Sequence, residues 1–504
     1  MSRLKFFLVA ICLSGMSWAS AQAPVEKWNI FELSLDGNPV ENPFTDVTLS
    51  VEFSHATKKV TVPGFYDGGD VYVARFMPSE EGQWTYLTTS NQKRLNGKKG
   101  GFLCTPPSQN NHGPVEVRNS YHFGYADGTP YYPIGTTSYA WAHQGDSLER
   151  ITLRTLRGTT FNKLRMCVFP KDYPYNKNDP QFYPFVRDSS GRNDYSRFDI
   201  AFWRHFEQRV RDLRERGIEA DIILFHPYDH GRWGYDNMPA GVYERYLKYA
   251  LARLAAFRNV WWSMANEFDF MSGKNTTDWD KYFQLVRQED PYGHLRSIHN
   301  GAVIYDHAKP WVTHASVQGH DLRRAREWRD KYRKPVLYDE VGYEGNLPED
   351  FGDFSAEELL RRMWEGTVNG AYVGHGETFL HPRDILWWSK GGILHGRSPQ
   401  RIAFLKKILE EDGDKALRPL DASICSWRNT SGQVSGVEGE YYLLYLGIHQ
   451  PGELKFTLPD DGTYFIEIID TWNMDITPVL GSFRGSFKLS MPGKPYMAVR
   501  IRRQ

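Results

Sequence analysis

Asn259-Val-Trp-Trp-Ser-Met-Ala-Asn266-Glu267 is one of two stretches that decide the fold, and Lys334-Pro-Val-Leu-Tyr-Asp-Glu340 is the other. Each is an apolar run that ends in a polar residue followed by a glutamate. Such a run predicts a buried strand of a parallel sheet that is covered on both faces. In α/β barrels the carboxyl ends of the strands carry the chemistry, so both glutamates are predicted to face one pocket. A pair of carboxyl groups across a pocket is the apparatus of glycoside hydrolysis.

Around these two stretches, strand-like and helix-like patterns alternate from residue 118 to residue 412. Strands are predicted at 131–135, 161–169, 218–225, 259–267, 295–298, 312–317, 336–339 and 370–374. Alternation of strands with helices implies a parallel sheet. Eight such strands over about 300 residues imply a (β/α)8 barrel, the TIM barrel.

The segments on either side of the predicted barrel have β patterning. Residues 24–105 contain short alternating runs separated by glycine-rich turns, and residues 415–504 return to the same pattern. Both segments are predicted to be β-sandwich domains. A stretch rich in turn formers, residues 106–114, separates the first of them from the barrel.

Composition and the first residues indicate the compartment. Lysine plus arginine and aspartate plus glutamate both number 61, so nothing favours nucleic acid or an anionic membrane as a partner. Residues 1–21 are predicted to be a signal peptide, with Arg3 and Lys5 before an apolar stretch and Ala19-Ser20-Ala21 as the cleavage site. The apolar stretch is too short to span a membrane and none is longer, so a secreted or periplasmic protein without a membrane span is predicted. Three cysteines remain after cleavage, an odd number that implies no disulfide framework.

The chemistry of glycoside hydrolysis needs two carboxyl groups with different protonation. A retaining enzyme uses one acid to protonate the leaving oxygen and a second carboxylate, about 5–5.5 Å away, to attack the anomeric carbon. Glu267 and Glu340 end the fourth and seventh predicted strands. Arg165, on the second strand, is the candidate cation that keeps one carboxylate ionised. Asn266 is a candidate for a hydrogen bond to a sugar hydroxyl.

Other polar residues follow the predicted strands. His299 follows the fifth strand, and His375 and Glu377 follow the eighth, so all three are candidate contacts for sugar hydroxyls. His226-Pro-Tyr-Asp-His230 contains metal-ligand residue types, but a loop with a proline lacks the fixed spacing of a helical metal motif. No metal and no cofactor are predicted.

These residues resemble those of the clan A glycoside hydrolases, the 4/7 superfamily, and the barrel is most similar to the family-five cellulases and mannanases. The resemblance implies that Glu267 is the acid/base and Glu340 the nucleophile. It also implies substrate-site roles for Arg165 and His226, and a sugar-stacking role for Trp387 or Trp388. At the sixth strand the family has a histidine or tyrosine beside the nucleophile; here the candidates are His314, Gln318 and His320, without a tyrosine.

The flanking segments carry a second resemblance. Val62-Pro-Gly-Phe-Tyr-Asp-Gly-Gly69 and Gly82-Gln-Trp-Thr-Tyr86 resemble the domain of unknown function 5060. Ile469-Asp-Thr-Trp-Asn-Met474 resembles the domain of unknown function 5605. Gly374-His-Gly-Glu-Thr378 and Trp387-Trp-Ser-Lys-Gly-Gly392 are similar to stretches of the apiosidase-like barrels.

Three functions are compatible with this pattern. The first is a secreted retaining glycoside hydrolase that cleaves a plant or microbial polysaccharide or oligosaccharide by double displacement. The second is a metal-dependent barrel hydrolase, which would need a His-x-His pair after the first strand, where residues 134–139 have none. The third is a non-catalytic carbohydrate-binding protein, against which the two strand-end glutamates argue. The sugar, the linkage, endo or exo action and the oligomeric state depend on loops and surfaces that the pattern does not specify.

Overall fold

The computed structural model describes residues 23–413, 415–420, 424–426 and 433–504, and the predicted signal peptide lies outside them. At the centre is a nearly closed sheet of eight short parallel strands, labelled β1 to β8 in chain order. They are β1 (Gly135–Thr137), β2 (Lys163–Cys167), β3 (Glu219–Ile223), β4 (Val260–Ser263), β5 (Arg296–Ser297), β6 (Ala315–Gln318), β7 (Val336–Glu340) and β8 (Tyr372–Val373).

The eight strands follow one another around the sheet in chain order. Strands β1 to β5 form one ladder and β6 to β8 a second. Backbone hydrogen bonds bridge the gaps, from Thr313 to the carbonyl of Arg296 (2.9 Å), from His375 to the carbonyl of Gly135 (2.8 Å) and from Thr137 to the carbonyl of His375 (3.1 Å). Because all pairings are parallel, the carboxyl ends of all eight strands meet at one edge of the sheet.

Helices connect the strands and cover the outside of the sheet. They are α1 (Asp146–Arg157), α2 (Ile200–Arg214), α3 (Val242–Leu254), α4 (Thr276–Glu289), α5 (Arg324–Tyr332), α6 (Ala356–Val368), the short α7 (Trp387–Lys390) and α8 (Ser398–Glu410). Helix α2 begins where the Asp199 carboxylate accepts the backbone N–H of Ala201. Its apolar residues Phe202, Phe206 and Val210 recur at helical spacing and are buried in the core of the barrel.

The first strand lies further along the chain than predicted. Residues 131–135 were expected to form it, but β1 begins at Gly135. Tyr131 instead belongs to a three-stranded antiparallel sheet made of Val115–Arg118, His122–Tyr125 and Pro130–Tyr131. Pro133 lacks the N–H that a central strand needs, which explains the break. This small sheet packs its apolar side chains under the barrel, at the end opposite the glutamates.

The N-terminal region is a seven-stranded sheet that bends around its own aromatic core. Its strands are Val25–Glu26, Phe31–Asp36, Leu49–His55, Lys58–Tyr66, Val71–Phe76, Gly82–Ser90 and Lys99–Thr105. Phe31 and Phe102, from distant strands of this sheet, stack with ring centroids 4.1 Å apart. A buried ion pair, Arg75 Nη1 to Glu207 at 2.6 Å, joins this sheet to helix α2.

The C-terminal region consists of two antiparallel sheets over a second core. The larger sheet contains Arg418–Pro419, Val434–Val437, Tyr441–Tyr445, Tyr464–Asp470, Asp475–Phe483 and Met497–Arg503. The smaller contains Glu453–Thr457 and Ser486–Ser490. Phe456 of the smaller sheet packs with Ile466 and Val499 of the larger one.

The remaining elements belong to loops around the barrel. They are the hairpin Phe185–Arg187 with Asn193–Phe198, the parallel pair Glu344–Gly345 with Glu377–Thr378, and the 3-10 helices Trp141–His143 and Phe268–Phe270. In the part of the chain that the structure describes, no helix has the length and apolar character needed to cross a membrane. Cys104, Cys167 and Cys425 are buried.

Candidate active site

Glu267 and Glu340 lie at the carboxyl-end edge of the central sheet. Glu340 is the last residue of β7, and Glu267 follows β4 after three further residues. Glu267 has a left-handed backbone, with φ of 47° and ψ of 55°, an unusual conformation for a residue with a side chain. Backbone strain of this kind is concentrated at functional sites. Both carboxyl groups are largely buried: Glu267 is 8% exposed and the Glu340 side chain 13%.

Three groups surround one oxygen of Glu340. The hydroxyl of Tyr139 donates a hydrogen bond to Oε1. Arg165 Nη1 lies 3.4 Å from the same oxygen and His299 Nε2 lies 3.3 Å from it. The tyrosine hydroxyl therefore comes from the loop after β1, although the family resemblance pointed to the sixth strand.

Glu267 is held by a different set of donors. The hydroxyl of Tyr228, in the loop after β3, donates to Oε2. The Asn266 amide donates to the same oxygen at 3.2 Å, and Gln318 Nε2 lies 3.5 Å from Oε1. Two hydrogen bonds at Oε2 leave Oε1 as the oxygen better placed to carry a proton.

Gln318, at the end of β6, is the sixth-strand residue that reaches the pair. Besides its contact with Glu267, its Oε1 lies 3.3 Å from His299 Nε2. His314 is buried among Phe123 and Trp261, at the opposite end of the barrel. His320 lies outside the pair's surroundings, beside Phe354. Of the three candidates for this position, only Gln318 therefore contacts the glutamates and their neighbours.

Asn266 links the surroundings of the two glutamates. Its Oδ1 accepts a hydrogen bond from Arg165 Nη2 at 3.1 Å and lies 3.3 Å from the Tyr139 hydroxyl. Its amide nitrogen donates to Glu267. A sugar hydroxyl contacting Asn266 would therefore join an existing network.

Below the glutamates, the interior of the barrel contains a compact set of buried charges. Lys163 Nζ lies 2.5 Å from Asp221 and 2.8 Å from Asp339. Arg165 Nε is 3.6 Å from Asp221, on the other side of its guanidinium from Glu340. Burial alone would raise the pKa of Asp339, but Lys163 and Arg165 bring this pKa well below its usual range. These ion pairs fix the Arg165 side chain under the pocket.

Burial makes both glutamates weak acids. It raises the pKa of Glu340 to about 7 and also raises the pKa of Glu267. Glu340 has the guanidinium of Arg165 at 3.4 Å, a contact that favours the ionised form of its carboxyl group.

His299 contacts Glu340 directly, whereas His226 contacts the protein backbone. His299 is fully buried, and burial together with Arg165 brings its pKa well below the usual value, so its ring is neutral. His226 Nε2 lies 3.1 Å from the carbonyl of Phe169, and its Nδ1 accepts the backbone N–H of Tyr228. Both ring nitrogens of His226 are thus occupied. In place of the predicted substrate contact, His226 orients the loop that carries Tyr228.

His375 also differs from its prediction. It is 0% exposed, its Nδ1 lies 2.9 Å from Thr136 Oγ1, and its ring stacks on Phe161. Burial lowers its pKa to about 3. These contacts place the ring in the packed joint between β8 and β1, where a sugar does not reach it.

Glu377 was predicted to contact substrate, but it binds protein backbone. Its two oxygens accept the N–H groups of His395 (2.6 Å) and Gly396 (2.7 Å). The neighbouring Glu344 accepts the N–H groups of Arg397 and Ser398 at 2.7 and 3.0 Å. This second pair of buried glutamates holds residues 395–398 in place, so its carboxylates are occupied.

The structure separates the two candidate sugar-stacking tryptophans. Trp387 is buried, and its indole N–H donates to Thr136 Oγ1 at 2.8 Å. Trp388 packs edge-on against Tyr139, with ring centroids 6.1 Å apart. Because Tyr139 contacts Glu340, Trp388 is the tryptophan beside the carboxyl pair.

One group of side chains among the described residues has a geometry that could hold a metal ion, and it lies elsewhere. Asp146, Glu149 and His205 bring their ligand atoms within 4.8 Å of one another. Arg209 Nη1 already pairs with Glu149 at 2.6 Å, so the group is an ion-pair cluster between α1 and α2. In the 226–230 loop, Asp229 accepts the backbone N–H groups of Trp233 and Tyr235.

The sequence reasoning missed Tyr228 and Lys171. Tyr228 lies inside the segment 226–230, whose histidines and aspartate are metal-ligand residue types. Lys171 follows β2 in a segment with no recognised motif, and it is buried beside Tyr139, Tyr228 and Trp388. Lys171 could have been identified by its position, because it follows the end of strand β2 by only four residues.

Three segments of the chain match known protein families. Residues 117–392 match the model described as "Apiosidase-like, catalytic domain". Residues 24–91 match the domain of unknown function DUF5060, and residues 427–502 match DUF5605. No curated protein matches.

Solved structures agree with this assignment. A protein from Bacteroides vulgatus, described provisionally as a glycoside hydrolase, is 41% identical; the match covers 96% of this chain and 100% of that one, with a TM-score of 0.90. A family 5 glycoside hydrolase from the same organism is 15% identical, over 78% of this chain and 93% of that one, with a TM-score of 0.61. The second similarity is one of fold.

Proposed function

The chain belongs to the apiosidase-like catalytic-domain family, and on that premise we propose that it is a secreted retaining glycoside hydrolase built on a (β/α)8 barrel. The observation that carries the proposal is the pair Glu267 and Glu340. Each is buried at a strand end, each accepts a hydrogen bond from a tyrosine hydroxyl, and Asn266 and Arg165 connect the two.

In the first step Glu340 acts as the nucleophile. Its ionised carboxylate attacks the anomeric carbon, and the bond from that carbon to the leaving oxygen breaks. Glu267 transfers its proton to the leaving oxygen, which departs as an alcohol. Arg165 and the Tyr139 hydroxyl favour the ionised form of Glu340 before the attack.

In the second step Glu267 acts as the base. It takes a proton from a water molecule while the water oxygen bonds to the anomeric carbon and the bond to Glu340 breaks. Two inversions at the same carbon retain the anomeric configuration. Glu267 ends the cycle protonated and Glu340 ionised, as they began.

The substrate is proposed as a plant or microbial glycan, with apiosides first among the candidates. The catalytic domain is apiosidase-like, which favours apiosyl groups as the sugar that is released. Trp388, beside the carboxyl pair, is the proposed aromatic contact for the sugar at the cleavage point. Export of the mature chain by the predicted signal peptide would bring it to such glycans.

The test is a screen of plant and microbial glycans, with apiosides included, followed by product analysis. Wild-type protein is compared with Glu340→Ala and with Glu327→Ala, a control on the exposed face of α5. We expect turnover by the wild type and the control and none by Glu340→Ala. Full turnover by Glu340→Ala would refute the proposal, and glycan binding without product from any of the proteins would favour a binding protein.

A further inference from the structure

Lys171 lies in a cage of aromatic rings beside the two glutamates. Its Nζ is 3.8 Å from the ring centroid of Tyr139, 4.1 Å from that of Tyr228 and 4.6 Å from that of Tyr173. Trp388 completes the cage at 5.5 Å. The residue is 3% exposed, so its ammonium exchanges most of its water for ring faces. A cation that has lost its water is attracted to the negative faces of aromatic rings.

Two of these rings are the ones that hold the carboxyl pair. Tyr139 donates its hydroxyl to Glu340, and Tyr228 donates its hydroxyl to Glu267. The ammonium therefore lies against the faces of both tyrosines at once. Tyr139 comes from the loop after β1 and Tyr228 from the loop after β3, while Lys171 comes from the loop after β2, between them.

We propose that Lys171 is a positioning residue for both halves of the glycoside hydrolysis, because its ammonium fixes the two tyrosines that orient Glu340 and Glu267. The inference rests on the proposed function. A cation on the face of a phenol draws electron density from the ring, which makes the hydroxyl a stronger hydrogen-bond donor. One side chain thereby supports the nucleophile through Tyr139 and the acid/base through Tyr228.

The charge of Lys171 also acts directly on Glu267. Burial raises the pKa of Glu267, and Lys171 is the principal group that lowers it. Burial lowers the pKa of Lys171 itself to about 8, against the opposing effect of Cys167 and Glu267. The other charged or titratable groups that face the lysine are Arg165, below it, and His226, in the loop that carries Tyr228.

These facts fix the sign of the pH effect. Glu267 must be protonated for the first step, so activity falls as pH rises through the pKa of Glu267. Removing the positive charge raises that pKa and moves the alkaline limb of the pH profile upward. An arginine keeps its charge at every pH used, so Lys171→Arg would preserve the cation above pH 8, where lysine begins to lose it.

The experiment compares Lys171→Met, Lys171→Arg and the matched control Lys274→Met across pH. Lys274 also lies over tyrosine rings, 3.2 Å from that of Tyr243, and burial lowers its pKa to about 8 as well, but those rings bond neither glutamate. For Lys171→Met we expect kcat to fall about ten- to thirtyfold, with KM changed less than twofold and the alkaline limb shifted upward. Lys171→Arg should recover part of kcat, and the control should match the wild type.

Several outcomes would overturn the inference. One is an unshifted pH profile for Lys171→Met with kcat within twofold of the wild type. A second is a rise in KM at unchanged kcat, which would assign Lys171 to substrate binding. A third is equal loss of melting temperature and activity in both Lys171 variants without a pH shift, which would assign it to packing. The proposed function has its own readout, since it fails if wild-type activity is absent or survives Glu340→Ala.

Discussion

Two pairs of buried glutamates lie at the same edge of the barrel, and they have opposite surroundings. Glu267 and Glu340 accept hydrogen bonds from side chains and keep exposed fractions of 8% and 13%. Glu344 and Glu377 accept four backbone N–H groups from residues 395–398 and are 3% and 1% exposed.

Burial alone therefore does not distinguish the two pairs. It raises the pKa of Glu340 to about 7 and that of Glu377 to about 7 as well. The difference lies in the partners. Backbone N–H groups that need an acceptor hold the second pair in the fold, whereas hydroxyl, amide and guanidinium groups orient the first pair and leave access from solvent.

The sharpest way to break this comparison is to make the same change in both pairs. Glu340→Gln should lower kcat by about 10⁴-fold or more, and Glu267→Gln by about 10²- to 10⁴-fold. Glu377→Gln should keep kcat within about threefold. It should lower the melting temperature, because its amide N–H₂ would face a backbone donor at a cost of about 1–3 kcal/mol. Steady-state kinetics and thermal unfolding of all three variants check this.

The distinction between a structural and a catalytic pair would be wrong if Glu377→Gln lost as much activity as Glu340→Gln while its melting temperature stayed unchanged. That result would place the second pair in the chemistry. A loss of both properties in Glu340→Gln alone would instead make Glu340 a structural residue.

Activity and stability should change in opposite directions with pH. Glu340 must be ionised to attack, so kcat/KM should fall about tenfold per unit as pH drops below about 7. The folded-state pKa of Glu377 is raised, so its contribution to stability is present at low pH and is lost as pH rises through about 7. Between pH 7 and 5, activity should therefore fall while the Glu377 contribution stabilises the fold.

Measuring kcat/KM and the melting temperature over that range, for wild type and Glu377→Gln, tests both signs. The wild type should gain stability relative to Glu377→Gln as the pH falls. A kcat/KM that stays constant down to pH 5 would contradict the burial argument for Glu340.

Gly396 packs directly against the second pair of glutamates, Glu344 and Glu377. A Cβ at this position would come within 2.4 Å of Glu344 Oε2 and 2.6 Å of Glu377 Oε2. Gly396→Ala should therefore destabilise the protein by about 1–3 kcal/mol through overpacking, with little change in KM. Thermal unfolding measures the first effect and initial rates the second. The matched control is Gly452→Ala, because a Cβ at Gly452 would lie in open space and the backbone there has no positive φ.

The smallest expected effect concerns the two tryptophans. Trp388→Ala should raise KM about five- to tenfold, since a lost aromatic contact is worth about 1 kcal/mol. Trp387→Phe removes the hydrogen bond to Thr136 and should lower stability without raising KM. Substrate titrations distinguish the two variants. A larger KM effect at Trp387 would reverse the assignment.

The sequence pattern predicted the position of a residue correctly where that position depends on one chain segment alone. The runs ending at Glu267 and Glu340 place both residues at strand ends because burial dictates their composition. The pattern failed for Glu377, because a glutamate after a strand looks the same whether backbone or substrate binds it. It also missed Tyr228 and Lys171, whose roles depend on three loops that meet only in the folded barrel.

The central claim is that Glu340 and Glu267 act by double displacement, and the anomeric configuration of the first product tests it most directly. Proton NMR during hydrolysis of an active glycoside should show the product first in the configuration of the substrate, before mutarotation mixes the anomers. First appearance of the opposite anomer would contradict the assignment of Glu340 as the nucleophile, because a single displacement inverts the centre.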